Sequence, residues 1–148
     1  WRAAAGEHVL DLLPVQRGEY LNIDVTAFAS GSSRWLLPTA VIELENQQND
    51  SYVAYNLWKL LCIHADLRIV YCYRPQSEAG RVLINFLAED VIGSLTNDQR
   101  LRLQGETMIV VGSYAEKDNF PYGYFRWWLL DKNIGRFDVL YCWTFSKR

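Results

Sequence analysis

Long apolar runs are missing from this 148-residue chain. The longest are short bursts such as Ile69 to Tyr73 and Trp127 to Leu130, far from the ~20 residues of a membrane-spanning helix. No basic start precedes an apolar segment, so no secretion signal is read. Positive charge is not in excess either: the net charge is −2 and the sequence pI is about 5.7. That balance counts against a generic nucleic-acid binder, although a carboxylate metal site lowers net charge by itself. Cysteines are few. Cys62, Cys72 and Cys142 are odd in number and form no CxxC pair, which argues against a disulfide framework or a zinc site and suggests reduced, buried thiols in a cytoplasmic protein. The two histidines, His8 and His64, lie far apart. His64 stands beside Leu60 and Leu61 and reads as a structural histidine. GxSxG, GxxxxGK[ST] and GxGxxG are all absent, so serine-nucleophile and nucleotide-cradle readings fail.

What is present is half apolar and 22 % charged, a composition that builds a buried core. The length suits one domain over residues 1–148, with no repeat or long linker. The chain opens on Trp1 rather than Met, so a fragment of a longer protein is expected.

Residues 2–13 read as a helix stopped by Pro14, with Glu7 and Asp11 sharing a face. Residues 19–28 alternate as a strand, with Leu21, Ile23 and Val25 opposite Asn22, Asp24 and Thr26. A turn at Ser30 to Ser33 leads to a second strand after Pro38, where Val41, Glu43 and Glu45 share one face. Residues 51–65 read as a helix with Val53, Leu57, Leu60 and Leu61 inward. Leu67 to Tyr73 is apolar but for Arg68, as in a central strand covered on both faces. A helix over 77–95, extending toward Leu103, precedes a meander of three strands over 107–114, 122–130 and 137–145. The order predicts an α/β domain with a mixed sheet.

The acids in Val41-Ile42-Glu43-Leu44-Glu45 are the most informative feature. Carboxylates side by side in semi-buried surroundings repel each other and lose hydration. A divalent cation relieves both problems, and magnesium favours such hard oxygen ligands. Pairing of the two strands would bring Asp24 to Glu43, so that three acids converge. A solvated, acid-bearing sheet face is the plain alternative.

This pattern of an acid-bearing strand, a turn, a strand with Glu43 and Glu45, a helix and a buried strand resembles the PD-(D/E)xK nuclease superfamily. The resemblance implies a restriction-endonuclease-like mixed β-sheet flanked by helices, here followed by the C-terminal β-meander. It places the family's acids on Asp24 and Glu43 and its third position on Glu45. No proline directly precedes Asp24, and Glu45 stands where a lysine is usual. Lys59, on a polar helix line with Tyr52 and Asn56, is the candidate replacement. Glu7 matches the further acid that the family often carries on its first helix.

The expected function is metal-dependent hydrolysis of DNA phosphodiesters. Asp24, Glu43 and Glu45 would hold Mg2+ or Mn2+, with Lys59 and Glu7 assisting. DNA is the expected partner, together with a homodimer or other domains of a longer chain, and no membrane. The alternative is a catalytically inactive nuclease-like domain serving as a binding or assembly module, with the late aromatics, Trp127-Trp128 and Tyr122 to Tyr124, as contact surface. A third reading uses the paired carboxylates in glycoside hydrolysis. Arg100, Arg102, Arg126, Lys132 and Arg136 are candidate phosphate contacts.

Overall fold

The computed structural model describes residues 1–7, 13–31 and 34–140. Seven strands form one sheet whose spatial order is the order of the sequence. They are β1 (Arg2–Ala5), β2 (Val25–Phe28), β3 (Ala40–Glu45), β4 (Leu67–Arg74), β5 (Glu106–Ser113), β6 (Phe125–Asp131) and β7 (Arg136–Leu140). The β1–β2 and β2–β3 pairs are antiparallel, β3–β4 and β4–β5 are parallel, and β5–β6–β7 is the antiparallel meander. The mixed α/β sheet and the closing meander thus agree with the pattern in the sequence.

Each parallel step needs a crossover. Helix α1 (Asp50–Leu61) supplies the first and α2 (Ser77–Leu87) the second. Asn49 caps α1 by accepting a hydrogen bond from the Ser51 N–H at 2.9 Å. A π-helical turn over Ala88–Ile92 prolongs α2, and the short α3 (Asn97–Leu101) opens with a Thr96–Gln99 capping box. Both long helices bury their apolar stripes on the same face of the sheet. Val53, Leu57 and Leu60 of α1 and Leu83, Ile84 and Leu87 of α2 join Val41, Val70, Ile109, Val111 and Trp128 in one core. Right-handed crossovers that advance in one direction along a sheet place their helices on one side.

The opposite face carries Leu44, Tyr71, Tyr73, Phe125 and Trp127; α1 and α2 lie on the other side, and Tyr114 of the 3-10 turn after β5 stacks on Tyr73 with centroids 5.8 Å apart. Tyr71 meets Phe125 and Trp127 edge-on, with ring centroids 6.2 and 6.1 Å apart. Trp127 and Trp128 divide between the two faces, as alternation requires.

Arg68 ties the two layers together. Its buried guanidinium donates to the carbonyls of Leu60, Ile63 and Gln104, at 3.0, 2.7 and 2.5 Å for the shortest bond to each. It thereby satisfies acceptors at the C-terminal end of α1 that have no partner within the helix. Its pKa is lowered because burial disfavours the cation.

Four expectations change. Arg2–Ala5 is a strand, not the first turns of a helix over 2–13. Alanine favours helix intrinsically, but the ladder offered by β2 overrides that weak preference. Gly6, at φ +50°, turns the chain as the strand ends. Residues 8–12, with His8 and Asp11, lie outside the described residues. The strand expected from 19 begins only at Val25, because Tyr20–Asn22 form a 3-10 turn with Leu21 and Asn22 at φ +57° and +55°. His64 and Cys62 are exposed rather than buried, since α1 ends just before them. Cys72 is buried as expected, and Cys142 lies outside the described residues.

Candidate functional site

Parity on β3 puts Val41, Glu43 and Glu45 on the face that α1 covers. Glu43 is only 4 % exposed. Lys59, two turns along α1 from Tyr52, reaches down to it, with its Nζ 2.7 Å from Glu43 Oε1. The same ammonium donates to the Asn22 carbonyl at 3.0 Å. The expected polar line on α1 therefore faces the acids. Asn56, one turn before Lys59, donates to Glu45 Oε2 at 3.1 Å. The other oxygen of Glu45 accepts from the Gln47 N–H at 2.7 Å.

Asp24 stands just outside β2. Its carboxylate accepts from the Leu44 N–H at 2.7 Å, continuing the contact between β2 and β3 beyond Val25 and Ile42, where their ladder ends. Asp24 and Glu43 are near enough to feel each other. Burial raises the Glu43 pKa from its ordinary 4.5, and the Asp24 carboxylate adds to the rise. The Lys59 ammonium and the Asp24 backbone N–H oppose it without cancelling it. Glu43 Oε1 is buried, and the Lys59 ammonium is the charge partner that faces it.

The β1–β2 register sets Ala5 opposite Val25, so Glu7, two residues on, follows at the end of the sheet that carries Asp24. Glu7 is exposed in the turn after β1 and makes no hydrogen bond or ion pair among the described residues. Of the candidate phosphate contacts, Arg100 is spent on Asn97 and the carbonyls of Lys132 and Asn133, Lys132 on the carbonyls of Leu103 and Gly105, and Arg102 on Asp98. Arg126 and Arg136 are exposed.

The sequence did not single out the pair next to the acids. Arg74, buried at the end of β4, bridges to Asp50 in the first turn of α1 at 2.5 Å. Cys72 lies between this pair and Glu45 across the β3–β4 ladder, and burial pushes its thiol up to about 12. Arg74-Pro75 at the end of an apolar strand was the available signal, but nothing in the sequence paired it with Asp50. The Asn22 carbonyl was invisible for another reason. It reaches Lys59 only because Leu21 and Asn22 adopt the left-handed conformation, unusual without glycine.

Among the described residues, no three acidic, histidine or cysteine side chains gather into a metal-binding group. The donor chemistry that is present, the neighbouring carboxylates of Asp24 and Glu43 with Glu45 two residues further along the same strand face, is of the hard-oxygen kind that a divalent cation takes. Lys59 now supplies the positive charge that a cation would bring. Two larger cavities, of about 360 and 310 Å3, are lined by none of these residues.

The chain matches no protein-family model, and no curated protein or solved structure is significantly similar to it.

Proposed function

We propose that Asp24, Glu43 and Glu45 with Lys59 form a metal-dependent phosphodiesterase site of the PD-(D/E)xK type, acting on DNA. The observation that carries the reading is the placement of Lys59 on Glu43, beside Asp24 and Glu45. It puts a lysine at the acids from α1 although β3 has none. The sequential mixed sheet, with the acids at one end of β2 and β3 and α1 following, supports a restriction-endonuclease-like arrangement.

In this reading Asp24 and Glu43 hold Mg2+ or Mn2+, with Glu45 completing the donor set. An ion held there would supply polarisation of the scissile phosphate and acidification of an attacking water. Lys59 would leave Glu43 Oε1 free for the ion and turn its charge to the phosphate oxygens, where charge builds in the transition state. Asn56 orients Glu45, and Asn22 keeps the ammonium near the acids.

The test is calorimetric titration with Mn2+ of the wild type and Glu43→Gln, beside a DNA cleavage assay. Saturable binding that weakens at least about tenfold in the folded variant, with metal-dependent cleavage lost in parallel, is expected. A folded wild type that binds no Mn2+ with or without DNA, and leaves DNA intact, refutes the reading. It would favour a second one, a non-catalytic assembly module. The observation behind that alternative is the aromatic sheet face carrying Tyr71, Tyr73 and Trp127, on the side away from α1 and α2.

A further inference from the structure

A cavity of about 310 Å3 lies between the segment leading into β2 and the loop joining β2 to β3. That volume is at the lower end of small-molecule sites. Its floor is a small apolar cluster separate from the main core, in which Tyr20 and Phe28 pack edge to face with centroids 5.8 Å apart. Its rim leaves large apolar surfaces in water: Trp35 is 67 % and Leu37 69 % exposed. Neither the floor nor the rim asks anything polar of a ligand, because the Tyr20 hydroxyl is already spent on the Val15 carbonyl at 2.9 Å.

Two other lining side chains do. Thr26 is 1 % exposed, and its Oγ1 has no hydrogen-bond partner. A buried hydroxyl without a partner is unfavourable, and Thr26 is one of the residues that line the cavity. Arg17 is exposed and lines the same cavity. It donates to the Gln16 carbonyl, and among the described residues no carboxylate pairs with it. Both groups offer donors, so they call for an acceptor, and the guanidinium favours an anionic one.

We propose that this cavity is a binding site for a small amphipathic carboxylate, its apolar tail against Tyr20, Phe28 and Trp35 and its charge matched by Arg17. The site is separate from the Asp24–Glu43 group and does not rest on the nuclease reading. This occupant uses three features together: an apolar chamber, a buried hydroxyl without a partner and a cation that no carboxylate among the described residues pairs. A purely hydrocarbon ligand would leave Thr26 and Arg17 as they are. A small inorganic anion would leave the exposed rim in water.

Octanoate, below its micelle concentration, is the probe. Amide shifts of the whole chain should saturate, with the largest changes at Thr26, Phe28 and Leu36. Arg17→Gln should weaken binding about tenfold, as loss of a charge-assisted contact does. Thr26→Val, nearly the same shape, should weaken it about fivefold, and neutral octanol should bind more weakly than octanoate. Arg17 is exposed, so its variant keeps the test available if Thr26→Val does not fold. Absence of saturable shifts, shifts centred on Tyr71 and Trp127 instead, or equal affinity in Arg17→Gln would each overturn the proposal.

Discussion

Replacing Lys59 by Met removes the cation beside Glu43 while keeping an apolar stem of similar length. The Glu43 side chain is only 5 % exposed. It must then either stay ionised without its counter-charge or take up a proton. The second route caps the penalty. Protonating a carboxyl with an ordinary pKa of 4.5 costs ~1.4 kcal/mol per pH unit above that value, or about 3.4 kcal/mol at pH 7 and about 0.7 at pH 5. Loss of the Lys59 bond to the Asn22 carbonyl adds about 1 kcal/mol at either pH. The sign follows from the direction of the shift. Burial already raises the folded-state pKa of Glu43, and removing Lys59 raises it further. The associated stability is full below 4.5 and is lost as pH rises through the folded-state value. Urea unfolding of Lys59→Met should therefore show a deficit against wild type of about 2–4 kcal/mol at pH 7 and about 1–2 at pH 5. Adding Glu43→Gln should flatten that pH dependence. An equal deficit at both pH values, or no flattening in the double variant, would refute the reasoning.

Cys72 should resist alkylation in the folded protein at pH 8, since its thiol titrates at about 12, whereas exposed Cys62 should react; peptide mapping by mass spectrometry separates the two, and modification of Cys72 at the rate of Cys62 would count against its burial. Arg68→Met should lower the urea-unfolding free energy by roughly 2–4 kcal/mol, because three carbonyls lose a charged donor while relief of a buried cation offsets part of the loss. A change below about 0.5 kcal/mol would show that water replaces the guanidinium at no cost.

Elements with long, regular patterns were legible in the sequence. The alternation from Ala40 to Glu45, the stripe Val53–Leu57–Leu60 and the apolar run from Leu67 all lie on the elements expected of them. Lys59 was legible as a residue on the polar line of α1, since helical spacing alone puts it beside Asn56. What failed depends on context that spacing does not contain. Arg2–Ala5 took its conformation from a neighbouring strand rather than from alanine's own preference. Alternation through residues 19–24 suggested a strand where two left-handed residues turn the chain, a local choice that neither Leu21 nor Asn22 announces as glycine would. Glu7 was expected on a helix; it follows a strand instead, and the β1–β2 register, not helical spacing, sets its position at the Asp24 end of the sheet.

The sheet order has a consequence for how this chain acquires its structure. Every strand pairs only with the strands immediately before and after it in sequence. No strand must wait for a partner from the far end of the chain, so loop-closure entropy is met in small instalments. Growth can proceed from β1 toward β7 in the direction of synthesis, each crossover helix laying its apolar stripe on strands already paired. Until the next strand arrives, the last one formed is an open edge, and β4 is the edge during the interval in which α2 through β5 is made. Slowing synthesis across residues 75–105 lengthens that interval.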